Sequence, residues 1–190
     1  GLISDYPIKT GIIYDASVLQ TKYKAQYHNH PNFSRPSLSQ RFVYNDSLEF
    51  VLCANHFKSK GSRNAKGLDI DQKDGQASYN YKRTLQAKTL LDIIDSLYFD
   101  ENIIVLGDFN AYSKEDPIQA LQSTNLHRLE TVNHSYVYKG KNGSLDHVFV
   151  SDNFIDHIDQ VQTWNINSIY PTWINYSHNL ADSSYFRSSD

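Results

Sequence analysis

The chain has 190 residues and a formal net charge of −3 at pH 7. This length supports a single domain with a substantial core. No apolar run is long enough to span a membrane, and the acidic balance excludes nucleic-acid binding through bulk positive charge. The single cysteine, Cys53, excludes an intrachain disulfide and lies in an apolar segment, so we expect a core residue rather than a nucleophile. The chain begins at Gly1 without a signal-peptide pattern, and we interpret it as a processed piece.

The first third of the chain contains short apolar segments separated by polar ones. We predict strands at Lys9–Tyr14, Gln40–Tyr44 and Ser47–Asn55, with a turn at Asn45-Asp46 and a long polar loop at Val18–Pro36. In that loop, the spacing of His28 and His30 would suit a metal site. Exposed loop histidines are the favoured interpretation, because no acidic or cysteine partner lies nearby in the sequence.

A dense basic cluster follows the strand that ends at Asn55 and His56. Its cations are Lys58, Lys60, Arg63 and Lys66, within the stretch FKSKGSRNAKG. A solvated basic loop and a phosphate-binding loop are equally favoured interpretations, the second because the cations come directly after a strand-terminal histidine. The acidic stretch that follows, GLDIDQKDG, only partly matches a calcium-binding loop. A solvated acidic turn is favoured there over a cation site.

A helix and a buried strand are predicted next. In Tyr79–Tyr98 the apolar residues recur at three- and four-residue steps, and Arg83 is placed mostly off this stripe. The stripe consists of Ala87, Leu90, Leu91, Ile94 and Leu97. The stretch Ile103–Tyr112 then reads IIVLGDFNAY, a β-branched apolar run that ends at a glycine. Strand, basic loop, helix and strand form a crossover unit, which indicates a mixed α/β class.

The end of this strand is the first candidate functional site. Asp108 and Asn110 follow Gly107 and are predicted to lie at the carboxyl-terminal end of the strand, where sheet enzymes commonly place reacting groups. An ordinary Asp/Asn turn is the alternative, because both residue types are common turn formers.

The remaining third of the chain contains further predicted elements. They are a helix at Asp116–Gln122, strands at Ser135–Lys139, Ser144–Ser151 and Gln160–Asn167, a turn at residues 140–143, and an irregular loop at Ser168–Phe186. Asp146 precedes an apolar run, and burying its carboxylate requires a polar partner. A histidine would suit this role. It should not be His147, because neighbouring strand residues point to opposite faces.

Collected together, the polar residues at strand ends suit phosphate-ester hydrolysis. They are Asn55, His56, Asp108, Asn110 and Asp146, to which we add the terminal Asp190. Hard oxygen ligands favour Mg²⁺ or Ca²⁺ over zinc. A histidine with carboxylates supplies acid–base capacity, and lysines neutralise anions.

The motifs NHFKSKG, GDFNAY, SLDHVFVS and RSSD resemble, in order, those of the endonuclease/exonuclease/phosphatase superfamily, which includes deoxyribonuclease I. The spacing is most similar to that of bacterial extracellular nucleases, and the resemblance covers nearly the whole chain. It implies an α+β fold, a two-sheet β-sandwich flanked by helices in four layers, with residues 1–190 forming a single incomplete domain. It also implies a sequence-nonspecific nuclease that acts on DNA, with RNA as a further substrate.

The resemblance implies a role for each matched residue. The catalytic residues would be His56, Asp108, Asn110 and Asp146. The substrate-binding residues would be Asn55, Lys58, Lys60 and Arg187. The ligands of Mg²⁺, with Ca²⁺ or Mn²⁺ as alternatives, would be Asp190, Asp108 and Asn110. The implied partner is the phosphate backbone of nucleic acid. No membrane partner is expected, and the protein is expected to be a monomer located outside the cell or in the cell envelope.

The sequence also departs from the family pattern. The family has a catalytic histidine directly after the terminal SSD and a metal-binding glutamate in a segment that would precede Gly1. Without that histidine, residues 1–190 alone are expected to be nearly inactive, because loss of a general acid–base costs ~10²–10⁴ in rate. The alternatives are a lipid or inositol phosphate phosphoesterase of the same superfamily and a non-catalytic nucleic-acid-binding module.

Overall fold

A computed structural model describes residues 8–122 and 124–165 of the chain. Its strands are β1 (Leu19–His28), β2 (Ser37–Tyr44), β3 (Leu48–His56), β4 (Ile103–Asp108), β5 (Leu126–Leu129), β6 (Tyr136–Tyr138), β7 (Lys141–Gly143) and β8 (Asp146–Ser151). Its helices are α1 (Asn80–Leu97) and α2 (Asp116–Gln122), and 3₁₀ turns lie at Gly67–Asp69 and Asp152–His157.

Six strands form one sheet in the order β1-β2-β3-β4-β8-β5, and β6 and β7 form a separate two-stranded sheet. The β3–β4 pair is parallel, whereas β1–β2, β2–β3, β4–β8 and β5–β8 are antiparallel. The predicted α+β class with two sheets and flanking helices is therefore confirmed. Within the described residues the second sheet is the short β6–β7 hairpin.

The main sheet carries an apolar cluster on each face, because side chains alternate along its central strands. Val105 of β4 packs with Phe149 of β8 and with Leu90 of α1 in the larger cluster. Phe42 and Phe50 lie on the opposite face with Phe154. The helices thus cover one face of the main sheet, and the polar residues lie at one end of its central strands.

The elements with strong apolar periodicity match their predictions. The predicted helix Tyr79–Tyr98 forms α1, the helix at Asp116–Gln122 forms α2, and Ile103–Tyr112 supplies β4. The predicted turn between β2 and β3 is present, and Asn45 and Asp46 have positive φ angles of 49° and 56°. Three residues, Asn45 to Ser47, connect the paired Tyr44 and Leu48, and positive φ at both central positions of the turn matches the twist of the strands that it joins.

Two predictions near the start of the chain are wrong. Lys9–Tyr14 forms no strand, and the predicted loop Val18–Pro36 contains the ten-residue strand β1. Most β1 side chains are exposed, because β1 is an edge strand, and such a strand has no apolar alternation to detect. Its pairing with β2 also shifts register between Lys22 and Gln26.

Later predictions need three further corrections. The predicted partner of Ser135–Lys139 was Ser144–Ser151, but β6 pairs with β7, and β8 joins the main sheet. Residues 160–165 form no strand, and the rest of that predicted element lies outside the described residues. The short strand β5 was not predicted. No helix among the described residues is long and apolar enough to cross a membrane.

Candidate active site

Three strands bring their polar residues together at one end of the central part of the sheet. Because β3 and β4 are parallel, both end there, and the antiparallel β8 begins there. The register aligns His56 with Asp108 and Asp108 with Asp146. Cross-strand neighbours in register point to the same face, so these three side chains form one row, which we call the polar row.

Gly107 allows the strands of the polar row to approach each other. Its φ of 137° is rare for residues with a side chain, and a Cβ built there would lie 2.0 Å from the backbone oxygen of Asn55. The neighbouring Asn55 is buried, and its side-chain amide donates to the Cys53 carbonyl at 3.0 Å. Its predicted substrate-binding role stays a prediction.

Asn110 fixes the carboxylate of Asp108. The backbone N–H of Asn110 donates to Oδ1 at 2.8 Å, and its side-chain amide donates to Oδ2 at 3.1 Å. The same amide donates to the Phe57 carbonyl at 3.2 Å, which ties the carboxylate to the segment after β3. Asn110 has a positive φ of 49°, a conformation that asparagine tolerates better than most residues. The aspartate is therefore held in one orientation by a single residue.

His56 lies beside this carboxylate. Its Nε2 lies 3.5 Å from Oδ2 of Asp108, which is beyond an ordinary hydrogen bond. Burial lowers the pKa of His56, and the positive charge of Arg35 lowers it further. A neutral imidazole can accept a proton, and the imidazolium so formed can donate it again, which is the property required of a general acid–base.

Asp146 completes the polar row. Burial of its carboxyl group raises its pKa, although the residue still has exposed surface, and a hydrogen bond with Ser135 opposes the shift. The raised pKa means that this carboxyl group takes up a proton more readily than a solvated aspartate. Its neighbour His147 is buried on the other face and donates from Nε2 to the Ala111 carbonyl at 2.8 Å. His147 is therefore not the partner of Asp146, as the strand alternation predicted.

The lysines of the basic cluster have different environments. The Nζ atom of Lys58 lies 4.2 Å from the ring centre of Tyr79. Lys60 Nζ lies 2.5 Å from a carboxylate oxygen of the buried Glu115 and also donates to the Gln76 carbonyl. Burial lowers the pKa of Lys60 more than Glu115 raises it. The substrate-binding role of Lys60 stays a prediction, and the structure gives this lysine an internal partner.

Helix α1 holds the start of the basic cluster by its backbone. The side chain of Gln86 accepts the N–H of Lys58 at 2.8 Å, and Arg83 donates to the Lys58 carbonyl at 3.4 Å. Arg83 is fully buried and also donates to the carbonyls of Gln76 and Ser78, both at 2.8 Å. These contacts fix the segment directly after His56 against the helix.

Two arginines of this region were not identified from the sequence. Arg83 was placed mostly off the apolar stripe of α1 and is buried instead. The spacing of the apolar stripe did indicate burial of Arg83, because Ala87 and Leu90 lie four and seven residues after it and therefore share its helix face. Arg35 lies in the segment interpreted as a long loop, and it donates to the Phe57 carbonyl at 3.3 Å. No local pattern indicated that Arg35 would lie near His56.

The described residues supply part of a cation-binding set. Among residues 8–122 and 124–165, no group of three or more His, Cys, Asp or Glu side chains could hold a metal ion. Asp108 and Asp146 are nevertheless direct neighbours across β4 and β8, and like charges in that position repel unless a cation or proton lies between them. Their oxygen ligands suit Mg²⁺. The other predicted ligand, Asp190, and the predicted substrate-binding Arg187 lie outside the described residues.

A family model described as "Endonuclease/Exonuclease/phosphatase family" matches residues 66–163, which include Asp108, Asn110 and Asp146. The chain belongs to this family. A comparison with curated proteins gives no match.

Several solved structures share the fold of this chain at low sequence identity. The human nocturnin catalytic domain with bound sulfate is 16% identical, with a TM-score of 0.52 over 72% of this chain and 49% of that one. The humanized D. rerio TDP2 is 13% identical, with a TM-score of 0.52 over 71% and 53%. The Bacteroides thetaiotaomicron mannosyl-6-phosphatase is 14% identical, with a TM-score of 0.50 over 73% and 55%. The family chain spans about half the length of these structures.

Proposed function

We propose that this family chain is part of a divalent-metal-dependent phosphodiester hydrolase that cleaves nucleic acid without sequence preference. The observation that carries the proposal is the polar row, in which His56, Asp108 and Asp146 lie side by side at the ends of three central strands. The positive charge of Arg35 lowers the pKa of His56. Acid–base groups beside cations are the components that phosphate-ester hydrolysis requires.

Each member of the polar row has a distinct proposed role. His56, whose pKa is lowered by burial and by Arg35, contacts and stabilises the scissile phosphate. Asp108, held by Asn110 through both carboxylate oxygens, orients the attacking water. Asp146 orients and charges a histidine supplied from outside the described residues. Fixed orientation matters because a misplaced reacting group loses much of its catalytic effect.

We assign Asp108, Asn110 and Asp190 to a divalent cation, with Mg²⁺ as the leading candidate and Ca²⁺ or Mn²⁺ as alternatives. When bound, the cation stabilises the negative charge that develops on the phosphoryl oxygens. The Asp108 carboxylate, which Asn110 holds by hydrogen bonds to both of its oxygens, supports this assignment, because carboxylate and amide oxygens are ligands that Mg²⁺ takes.

Nucleic acid is the proposed substrate because a basic segment directly follows His56 in an otherwise acidic chain. Arg35 acts electrostatically on both His56 and Lys58, and the exposed Arg63 and Lys66 extend the positive charge along the loop after β3. Such side chains bind phosphates and orient a backbone without identifying bases. We further propose that the protein is a monomer that acts outside the cell or in the cell envelope, as bacterial extracellular nucleases do.

The test is cleavage of plasmid DNA and RNA by the purified full-length protein with Mg²⁺, Mn²⁺ or Ca²⁺. We expect Asp108→Asn and His56→Ala to lower the cleavage rate by ~10²–10⁴, the usual contribution of a general acid–base. Asp92→Asn, an exposed aspartate on α1, is the matched control and should leave the rate unchanged. Intact nucleic acid with all three metals would refute the proposal. Turnover of lipid or inositol phosphates instead would favour the other phosphoesterase class, and binding without cleavage would favour a non-catalytic module.

A further inference from the structure

A cavity of about 330 Å³ adjoins the polar row at Asp146. Its lining includes Tyr112, Asn142, Arg128 of β5 and Glu130 just after that strand. This volume lies within the ~300–1,000 Å³ usual for small-molecule sites. Asp146 is the only residue of this lining to which a catalytic role is proposed above, so the catalytic roles do not explain why the cavity is present.

Tyr112 lines this cavity, and Tyr136 and Tyr138 lie on the β6–β7 hairpin, whose second strand lines the cavity at Asn142 and Gly143. The rings of Tyr136 and Tyr138 stack, with their centres 6.3 Å apart and their planes 14° from parallel. Tyr112 packs against the hairpin at Gly143, where a Cβ would lie 2.5 Å from the tyrosine ring. Burial and the neighbouring hydroxyl groups of Tyr136 and Tyr138 raise the pKa of Tyr112. We call these three residues the tyrosine cluster.

Lysines accompany two members of the tyrosine cluster. Lys139 Nζ lies 5.4 Å from the ring centre of Tyr138, and Lys60 Nζ lies 5.1 Å from that of Tyr112. Lys141 is paired with Tyr138 across the hairpin and is exposed. Tyr138 itself is 53% exposed, so its ring is available to a ligand. Aromatic faces next to cations are the composition of surfaces that bind single-stranded nucleic acid.

The hairpin is fixed to the strands that form the polar row. Ser135, just before β6, accepts the N–H groups of Leu145 and Asp146 at 3.1 and 3.2 Å. The Leu145 carbonyl accepts the N–H of Phe109 at 2.9 Å, which connects the same segment to the end of β4. The tyrosine cluster therefore has a defined position relative to Asp108 and Asp146, as a specificity element requires.

We propose that the tyrosine cluster is a nucleobase-binding subsite that stacks a base next to the scissile phosphate, so that single-stranded nucleic acid is the preferred substrate. The cavity beside Asp146 receives the base or its sugar, and Lys139 and Lys141 contact the flanking phosphates. Stacking tolerates any base, because every base presents a π face. This inference rests on the proposed nuclease function and adds the form of the substrate.

The experiment compares two short fluorescent oligonucleotides, one bearing bases and one with the same backbone but abasic residues. Binding is measured by fluorescence anisotropy with EDTA present, so that no turnover is required. Tyr138→Ala and Tyr136→Ala should each weaken binding of the base-bearing strand about 5- to 150-fold, which corresponds to the usual loss per stacked base. Binding of the abasic strand should stay within about twofold, because its phosphate contacts remain.

Two further variants separate stacking from folding. Tyr138→Phe keeps the ring and should bind like the wild type, whereas Tyr138→Leu should bind like the alanine variant. Tyr44→Ala is the matched control, since Tyr44 is 40% exposed but lies at the opposite end of the β2–β3 pair. Equal weakening for both oligonucleotides, or no weakening for either, would overturn the subsite.

The cleavage assay distinguishes this failure from failure of the proposed function. Asp108-dependent cleavage of both oligonucleotides with equal kcat/KM would keep the nuclease and remove the subsite. Base-dependent binding without any cleavage would keep the subsite and remove the nuclease.

Discussion

Replacing Gly107 with alanine tests whether the close approach of β3 and β4 positions the polar row. The added Cβ would lie 2.0 Å from the Asn55 backbone oxygen, 2.8 Å from its carbonyl carbon and 2.9 Å from its nitrogen. These atoms belong to the backbone of a central strand, so no side chain can rotate to relieve the contact. Either β3 moves away from β4, or the residue abandons its φ of 137°.

Two costs combine in this variant. A backbone conformation that side chains rarely adopt costs about 1–3 kcal/mol, and insertion of a methyl group into a well-packed position costs about 1–3 kcal/mol more. We therefore expect the free energy of unfolding to fall by about 2–6 kcal/mol, a large part of the ~5–15 kcal/mol typical of a domain. If the variant still folds, displacement of Asn55 should also shift His56 and lower the cleavage rate.

Urea denaturation followed by circular dichroism measures the loss, and two other glycines provide matched controls. Gly61 has open space and an ordinary backbone, so Gly61→Ala should change stability little. Gly67 also has open space but a positive φ of 56°, so Gly67→Ala carries only the conformational cost, about 1 kcal/mol. A loss for Gly107→Ala no larger than that for Gly67→Ala would refute the steric argument.

Two more predictions concern charge. Glu115→Gln should lower the free energy of unfolding by about 3 kcal/mol in urea denaturation, because it leaves the Lys60 cation in a half-buried site without its counter-charge. The double variant Lys60→Met/Glu115→Leu should regain most of this loss, and an equally unstable double variant would contradict the explanation. Acidification should also destabilise the protein: burial lowers the pKa of His28 and His147, so the unfolded chain binds more protons, and stability falls as the pH drops below about 6.5. His28→Gln should reduce the slope of unfolding free energy against pH between about 7.5 and 5.5, and an unchanged slope would exclude His28 as a contributor.

The sequence predicted the elements whose burial is periodic. Helix α1 and strand β4 place apolar residues at regular steps, because each has one environment along a whole face. The edge strand β1 is mostly exposed and pairs through its backbone, so its side chains carry no comparable pattern. The β6–β7 pairing was missed because the turn is formed by Lys139 and Gly140, which have positive φ, whereas Lys141–Gly143, predicted as part of the turn, forms β7.

Within the candidate site, residues at strand ends could be predicted and residues brought in by tertiary contacts could not. Asp108 and His56 come at the ends of apolar runs, so their position at the ends of their strands was evident from the sequence. Arg35 and Glu115 lie in connecting segments far from their partners along the chain, and only folding places them beside His56 and Lys60. Arg83 differs from both, because its helical spacing indicated burial while its charge argued against it.

The polar row lies on β3, β4 and β8, three of the four interior strands of the main sheet, whereas β1 and β5 form its edges among the described residues. Local opening of a folded protein usually begins at edges and termini, where few contacts must be broken. Fraying of β1 or β5 would therefore leave His56, Asp108 and Asp146 in register. Under rising denaturant, the site should persist until the central strands separate, and activity should be lost together with the cooperative core rather than before it.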